Sequence, residues 1–230
     1  MDQSDAAPAP ARRGGNGRAG RVAYDLDAVL AVAVQAFNDR GYDATSMGEL
    51  AERLGTSKSA IYYHVSGKQE LLRLALERAL GNLEALLQEP GAEPGEGPGD
   101  EPDGQPDAAA PTALDRLERV LRGAVRVLVE ELPFVTLLLR LRGNTDVERE
   151  ALARRREFDH AVARLVEEAV ADGALRSDVD ARTATRLLFG MVNSLVEWYR
   201  PGGGLTADQL ADAVVAMAFE GLRAQPDARR

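Results

Sequence analysis

Apolar positions in this chain recur at intervals of three and four. Leu26, Val29, Leu30, Ala33 and Phe37 follow that period, as do Leu72, Ala75, Leu76, Ala79, Leu80 and Leu83. Further along, Leu114–Leu132, Val147–Ala171, Ala181–Tyr199 and Ala207–Leu222 repeat it, and Pro133, Gly173 and Pro201-Gly-Gly-Gly204 interrupt it. A period near 3.6 gathers each set on one helix face. Proline stops such a face because it lacks an N–H, and glycine because its backbone is free. No stretch alternates β-branched and polar residues. The pattern predicts an all-α protein.

Two stretches have no period. Residues 1–21 are rich in Ala, Pro and Gly and carry Arg12, Arg13, Arg18 and Arg21. They read as a disordered arm. Residues 89–111 mix Pro, Gly and acids without an apolar anchor, so burial cannot offset the entropy of ordering them. That segment is expected to be a disordered acidic linker. It separates an N-terminal module at 22–88 from a C-terminal helical module at 112–224, with a tail at 225–230.

The linker also explains the charge. The chain is 230 residues long with a net charge of −9, yet residues 81–107 hold eight acids and no base. The rest is nearly balanced, so the acidic total says little about partners. Cysteine is absent and histidine occurs twice, at His64 and His160. Thiolate metal sites, disulfides and cysteine nucleophiles are therefore excluded, and a metal centre or a bound cofactor is not expected. No nucleophile–base pair or phosphate-cradling glycine loop stands out, so no catalytic residue is assigned. No apolar run is long enough to span a bilayer and no secretory signal opens the chain, which predicts a cytoplasmic protein.

Residues 41–70, GYDATSMGELAERLGTSKSAIYYHVSGKQE, carry the chemistry. Gly41 closes the first helix. Ser46 and Glu49 have the spacing of a capping box, which starts a helix at Met47 that Gly55 ends. Ser57 caps a short helix from Lys58 to about Val65, and Ser66 with Gln69 predicts a second capping box before a long helix running to about Gln88. Two short helices around a tight glycine turn form a helix-turn-helix, the second helix projecting to enter a major groove. Ile61 and Val65 are expected to face inward, leaving Lys58, Ser59, Tyr62, Tyr63 and His64 outside. Lys58 and Lys68, the chain's two lysines, flank this helix.

The run Phe37–Ser46 (F-x-x-x-G-Y-x-x-T-S), then Leu50–Gly55 (L-A-x-x-L-G), then Ser57–Leu72 (S-K-S-A-I-Y-Y-H-V-x-x-K-x-x-L-L) resembles the DNA-binding domain of TetR/AcrR-type transcriptional regulators. The resemblance implies that Lys58, Ser59, Ala60 and Tyr63 meet base edges of a double-stranded operator. It implies that Thr45, Ser46, Tyr62, His64 and Lys68 hold phosphates. Gly48 stands where some members carry a base-reading side chain, which reduces what that helix can read here. Members of the family bind DNA as dimers, which implies a homodimer.

The same resemblance implies an effector pocket and a dimer interface in the C-terminal module. Apolar residues on more than one face of the helices at about 180–200 and 206–223 fit an interface of helices between subunits. Candidate effector contacts are Phe134 and Leu138 after the Pro133 break, Arg142, Phe158 on the long helix, and Met191, Asn193 and Trp198 on the next. The stretch Gly190–Leu205 is similar to the C-terminal part of regulators that sense acyl-CoA or aryl-CoA thioesters. Arg140, Arg142, Arg154, Arg155, Arg156 and Arg164 are candidates for the phosphates of such a ligand. Competing readings are a sensor of hydrophobic drugs controlling an efflux pump, and a helical interaction module without DNA binding. On the leading reading the chain is a repressor, and effector binding shifts the helix beginning at Lys68.

Overall fold

The computed structural model describes residues 25–88 and 110–222. The predicted arm, nearly all of the acidic linker and the tail lie outside the described residues. Among those described, nine helices follow in order: α1 Leu26–Arg40, α2 Met47–Leu54, α3 Lys58–Tyr62, α4 Lys68–Ala85, α5 Ala113–Glu130, α6 Leu132–Leu139, α7 Asp146–Ala171, α8 Ala181–Trp198 and α9 Ala207–Leu222. The all-α expectation holds.

Polar caps set most of the helix starts. Asp25, Ser46, Ser57, Thr145 and Asp180 each accept a backbone N–H of the first turn, and Thr112 with Asp115 forms a reciprocal capping box. At Ser46 the expected reciprocity fails: the Glu49 carboxylate is drawn off by Arg40 and Arg53, each 3.2 Å away. The predicted Ser66–Gln69 box is also replaced. Both the N–H and the hydroxyl of Ser66 reach Glu70 at 2.5 Å, and these bonds hold the Glu70 carboxyl below its usual pKa. Gly41 (φ 90°) and Gly55 (φ 62°) end α1 and α2 in the region that favours glycine.

Two cores result. Val29, Leu30, Val34 and Phe37 of α1, Leu50 and Leu54 of α2, Ile61 of α3, and Leu71, Leu72, Leu76 and Leu80 of α4 form the first. The second centres on α5, which packs against α7, α8 and α9. The Pro133 interruption proves to be the opening of a separate helix, α6, because proline fits an initial turn. That helix serves both cores: Phe134, Leu137 and Leu138 enter the first and Val135 the second. The other bridge is α4, about 27 Å long for 18 residues, which contacts α1, α5, α6 and α7. Near its C-terminal end, Leu86 lies so close to Gly123 of α5 that a Cβ there would stand 2.4 Å from a Leu86 methyl.

Candidate functional site

Burial on one side fixes α3 and leaves the other side bare. Ile61 is 0% exposed and Val65 is buried beside the core residues of α1, α2 and α4. Ser57 accepts the N–H of Ala60 at 3.3 Å, anchoring the N-terminal end. The regular helix stops at Tyr62, three residues before the predicted end. The turn continues, with Tyr63 N–H to Ser59 O at 3.1 Å and His64 N–H to Ile61 O at 3.0 Å. Lys58, Ser59, Ala60 and Tyr62 are exposed, and Tyr63 is 87% exposed. His64 is half-buried and meets the Tyr63 ring edge-on at 5.3 Å. Gly48 gives Lys58 room: a Cβ at that position would lie 3.0 Å from Lys58 Cε and 3.3 Å from Nζ.

Two candidates for phosphate contacts have structural duties. Thr45 is 2% exposed, and its hydroxyl donates to Gly41 O at 2.9 Å, closing the loop between α1 and α2. Its side chain therefore faces the interior instead of a duplex. The Lys68 ammonium donates to Tyr42 O at 2.7 Å and Asp43 O at 3.3 Å and lies 4.3 Å above the Tyr42 ring. It ties the same loop to the start of α4. Nothing in a one-dimensional pattern separates a tethered lysine from a phosphate-facing one, since both follow the same motif. Ser46 is exposed at the N-terminus of α2, where its own amide environment favours an anion.

The predicted effector residues divide. Leu138, Phe158 and Asn193 line one cavity of about 30 Å³ enclosed by α4, α5, α6, α7 and α8. The others do not join them. Phe134 packs into the first core beneath the Arg78 guanidinium, 4.5 Å from its ring centre. Met191 packs against the second core without lining the cavity, Trp198 is 52% exposed, and Arg142 lies at the junction of the modules. Helical periodicity places residues on a face but does not say which neighbour the face meets, and these four meet other neighbours. Sequence reasoning missed Leu83, Asp159 and Phe189, which also line the wall, and it named Arg155 only as a candidate for the ligand's phosphates. An i,i+4 pair of Arg155 and Asp159 flanking Phe158 was the available signal.

The electrostatics of that cavity are uneven. The Asn193 side chain makes no hydrogen bond with the described residues, and Arg155 and Asp159 are the other polar side chains of a mainly apolar wall. Burial raises the Asp159 pKa, and Arg155, His160 and Arg186 pull it back down. Phe158 and Phe189 meet edge-on at 5.5 Å.

A larger space of about 380 Å³ lies elsewhere, where the end of α1, loop 41–44, the end of α6 and residues 140–144 converge. It is open and ringed by Arg40, Asp43, Arg140, Arg142 and Glu148, so it is a seam between the modules. Asn38 donates to Pro133 O at 2.8 Å across it, while Asn38 Oδ1 is buried with no partner among the described residues. Glu148 is buried and satisfied by the amides of Arg142, Gly143 and Asn144 at 3.3, 2.8 and 2.9 Å.

Ion pairs bind the modules beside this seam. Arg154 of α7 reaches Glu84 at 2.6 Å and Glu77 at 2.7 Å on α4, and those carboxylates stabilise its charged form. Arg78 of α4 reaches Glu131 at 2.7 Å. Arg154 is thus an inter-module clamp, unlike the phosphate ligand expected from sequence. In the C-terminal module, Leu187, Trp198, Leu205 and Met217 are exposed, Met217 to 70%. Among the described residues no group of three acidic, histidine or cysteine side chains is placed to hold a metal, and no helix is long and apolar enough to cross a membrane.

Comparison with known proteins matches both modules. Residues 29–75 fit the family model for bacterial regulatory proteins of the tetR family, and residues 110–222 fit that for a tetracyclin repressor-like C-terminal domain. A solved structure of SCO3833, a member of the TetR transcriptional regulator family from Streptomyces coelicolor A3, is 52% identical with a TM-score of 0.71, covering 85% of this chain and 90% of that one. The HTH-type transcriptional repressor KstR2 of Rhodococcus jostii (strain RHA1) is 26% identical over 207 residues, 90% of this chain and 93% of its own. AibR, solved in complex with isovaleryl coenzyme A and operator DNA, shares the fold at a TM-score of 0.63 and 24% identity, covering 84% of this chain and 97% of AibR. An exposed α3 locked by Ile61, α4 joining it to a second helical module, family models matching both modules, and a relative identical at about half of the aligned positions have one reading: this chain belongs to the TetR family of DNA-binding transcriptional regulators.

Proposed function

We propose that the chain is a cytoplasmic homodimeric repressor, released from its operator by a small molecule of the acyl-CoA or aryl-CoA thioester class. The observation that supports the effector reading is a cavity where five helices meet, in which the Asn193 side chain, without a hydrogen bond to the described residues, stands among apolar side chains with Arg155 and Asp159. Its amide is half-buried and untaken by protein groups, so it can offer both a donor and an acceptor to a ligand. The cavity of about 30 Å³ has room for little more than a water molecule. An effector therefore enters by displacing wall residues, and one of them, Leu83, belongs to α4. Movement of α4 is passed to the first core through Leu71, Leu72, Leu76 and Leu80 and so to α3. The shift in operator occupancy is limited by the effector's preference for the released state.

Exposed apolar side chains Leu187, Trp198 and Met217 on α8 and α9 support dimerisation through these helices. Two-fold pairing through these helices presents two copies of α3 to a pseudo-palindromic site. Base contacts are assigned to Lys58, Ser59, Ala60 and Tyr63, and phosphate contacts to Ser46, Tyr62 and His64. The test is selection of a binding site from random duplexes, followed by fluorescence anisotropy with isovaleryl-CoA as the effector probe. A palindromic winner released by the thioester supports the reading; no sequence preference at physiological salt overturns it.

A further inference from the structure

A second space of different character shares one wall residue with the effector cavity. Asp159 lines both, and beyond it α7 and α8 form a cleft of about 140 Å³ walled by Arg156, His160, Arg182 and Arg186. Arg155 stands on the cavity side of the same carboxylate. Several arginines elsewhere in this module are taken up by acids: Arg122 by Glu118 and Asp212, Arg126 by Asp208, Arg154 by Glu77 and Glu84, and Arg176 by Asp178, while Arg119 and Arg164 make no such pair among the described residues. In the cleft the side chains of Arg156, His160, Arg182 and Arg186 make neither a hydrogen bond nor an ion pair with the described residues. Asp159 is the only carboxylate in the cleft wall, and it is set back into the protein by its partial burial.

We propose that the cleft between α7 and α8 binds a phosphate or pyrophosphate head group, with Arg156, Arg182 and Arg186 as its ligands. The apolar remainder of the same molecule then passes Asp159 into the cavity at Asn193. Three guanidiniums converging from two helices match an oxyanion with several acceptors, because each offers a planar fork of donors. The location excludes the seam arginines Arg140 and Arg142, which line a separate space, and excludes Arg154, whose donors are occupied. This assignment rests on the effector reading above and specifies where its charged end lies.

Isothermal titration of the full chain with coenzyme A and with pyrophosphate tests it, using R182Q/R186Q, whose side chains are exposed, and R119Q on α5 as a control outside both spaces. Coenzyme A is expected to bind wild type and the control equally and the double variant at least tenfold more weakly. Pyrophosphate binding as tightly as coenzyme A assigns the site to the free anion, and markedly tighter coenzyme A binding assigns it to the cofactor ester; either supports the site. Equal coenzyme A affinity in R182Q/R186Q overturns the proposal, as does loss of non-specific DNA affinity in that variant without loss of coenzyme A binding. If an uncharged apolar compound releases the operator while neither phosphate probe binds, the regulator reading stands and the head-group site falls.

Discussion

The outward side chains of α3 lie within residues 58–64, held by one buried isoleucine, whereas the effector cavity takes its wall from five helices between Leu83 and Asn193. The first site is a local motif on a rigid support. The second exists only once distant helices have packed, and its free space is small because they pack well. The contrast separates what each site tolerates. A surface reader loses affinity when truncated but leaves the fold alone, while a cavity residue is also part of the core.

Replacing Phe158 by alanine probes that separation most severely. It removes a buried ring that touches Phe189 and is expected to destabilise the chain by about 3–5 kcal/mol in denaturant titration. Well below its melting temperature the variant should still bind operator, since the first core is untouched. Loss of operator binding by the folded variant would show that the two sites are not separable. Tyr63→Ala tests the opposite case. With 87% of the residue exposed, stability should stay within about 0.5 kcal/mol. Operator affinity should drop by about 1–3 kcal/mol in anisotropy titrations if the ring or its hydroxyl reads a base.

Arg154→Gln addresses the coupling between the regions. Its partners are partly exposed, so the expected loss of stability is about 1 kcal/mol or less. The sharper readout is release: operator affinity should be retained while the effector concentration needed for half-release changes, because α4 and α7 then move independently. An unchanged release curve would remove Arg154 from the coupling route.

Asp159→Asn gives the smallest effect and a defined sign. Burial raises the folded pKa of this carboxyl above its unfolded value, so its ionised form opposes folding at neutral pH. That penalty declines as pH falls through the folded pKa and is gone below the unfolded value of about 4. The amide variant should therefore melt slightly higher at pH 7, with the difference disappearing under acid conditions in paired thermal scans. A difference that grows on acidification would refute the burial argument.

The limits of the linear pattern show in particular residues. The spacing of Leu50, Leu54, Ile61 and Val65 located most of the first core and, by exclusion, the exposed face of α3, because the neighbours of α3 in that core, on α1, α2 and α4, are close in sequence. Thr45 and Lys68 belong to the same motif, yet one hydroxyl turns to Gly41 O and one ammonium to Tyr42 O. Phe134 and Leu138 are one helical turn apart on α6, both in the first core, but only Leu138 also reaches the cavity. The arginine triplet at 154–156 looked uniform as text. Rotation about the α7 axis sends Arg154 to the acids of α4, Arg155 to the cavity and Arg156 to the cleft.

What the sequence determined by itself was the helices other than α6, the helix-turn-helix and the side of α3 that is free to meet DNA. Those depend on period, capping and glycine placement, which act over a few residues. Tertiary packing alone decided that α6 serves two cores, that α4 carries both modules, and that Asn193 comes to line a cavity with Arg155 and Asp159. Each of these follows from which faces of separate helices come together, and no interval along the chain encodes that.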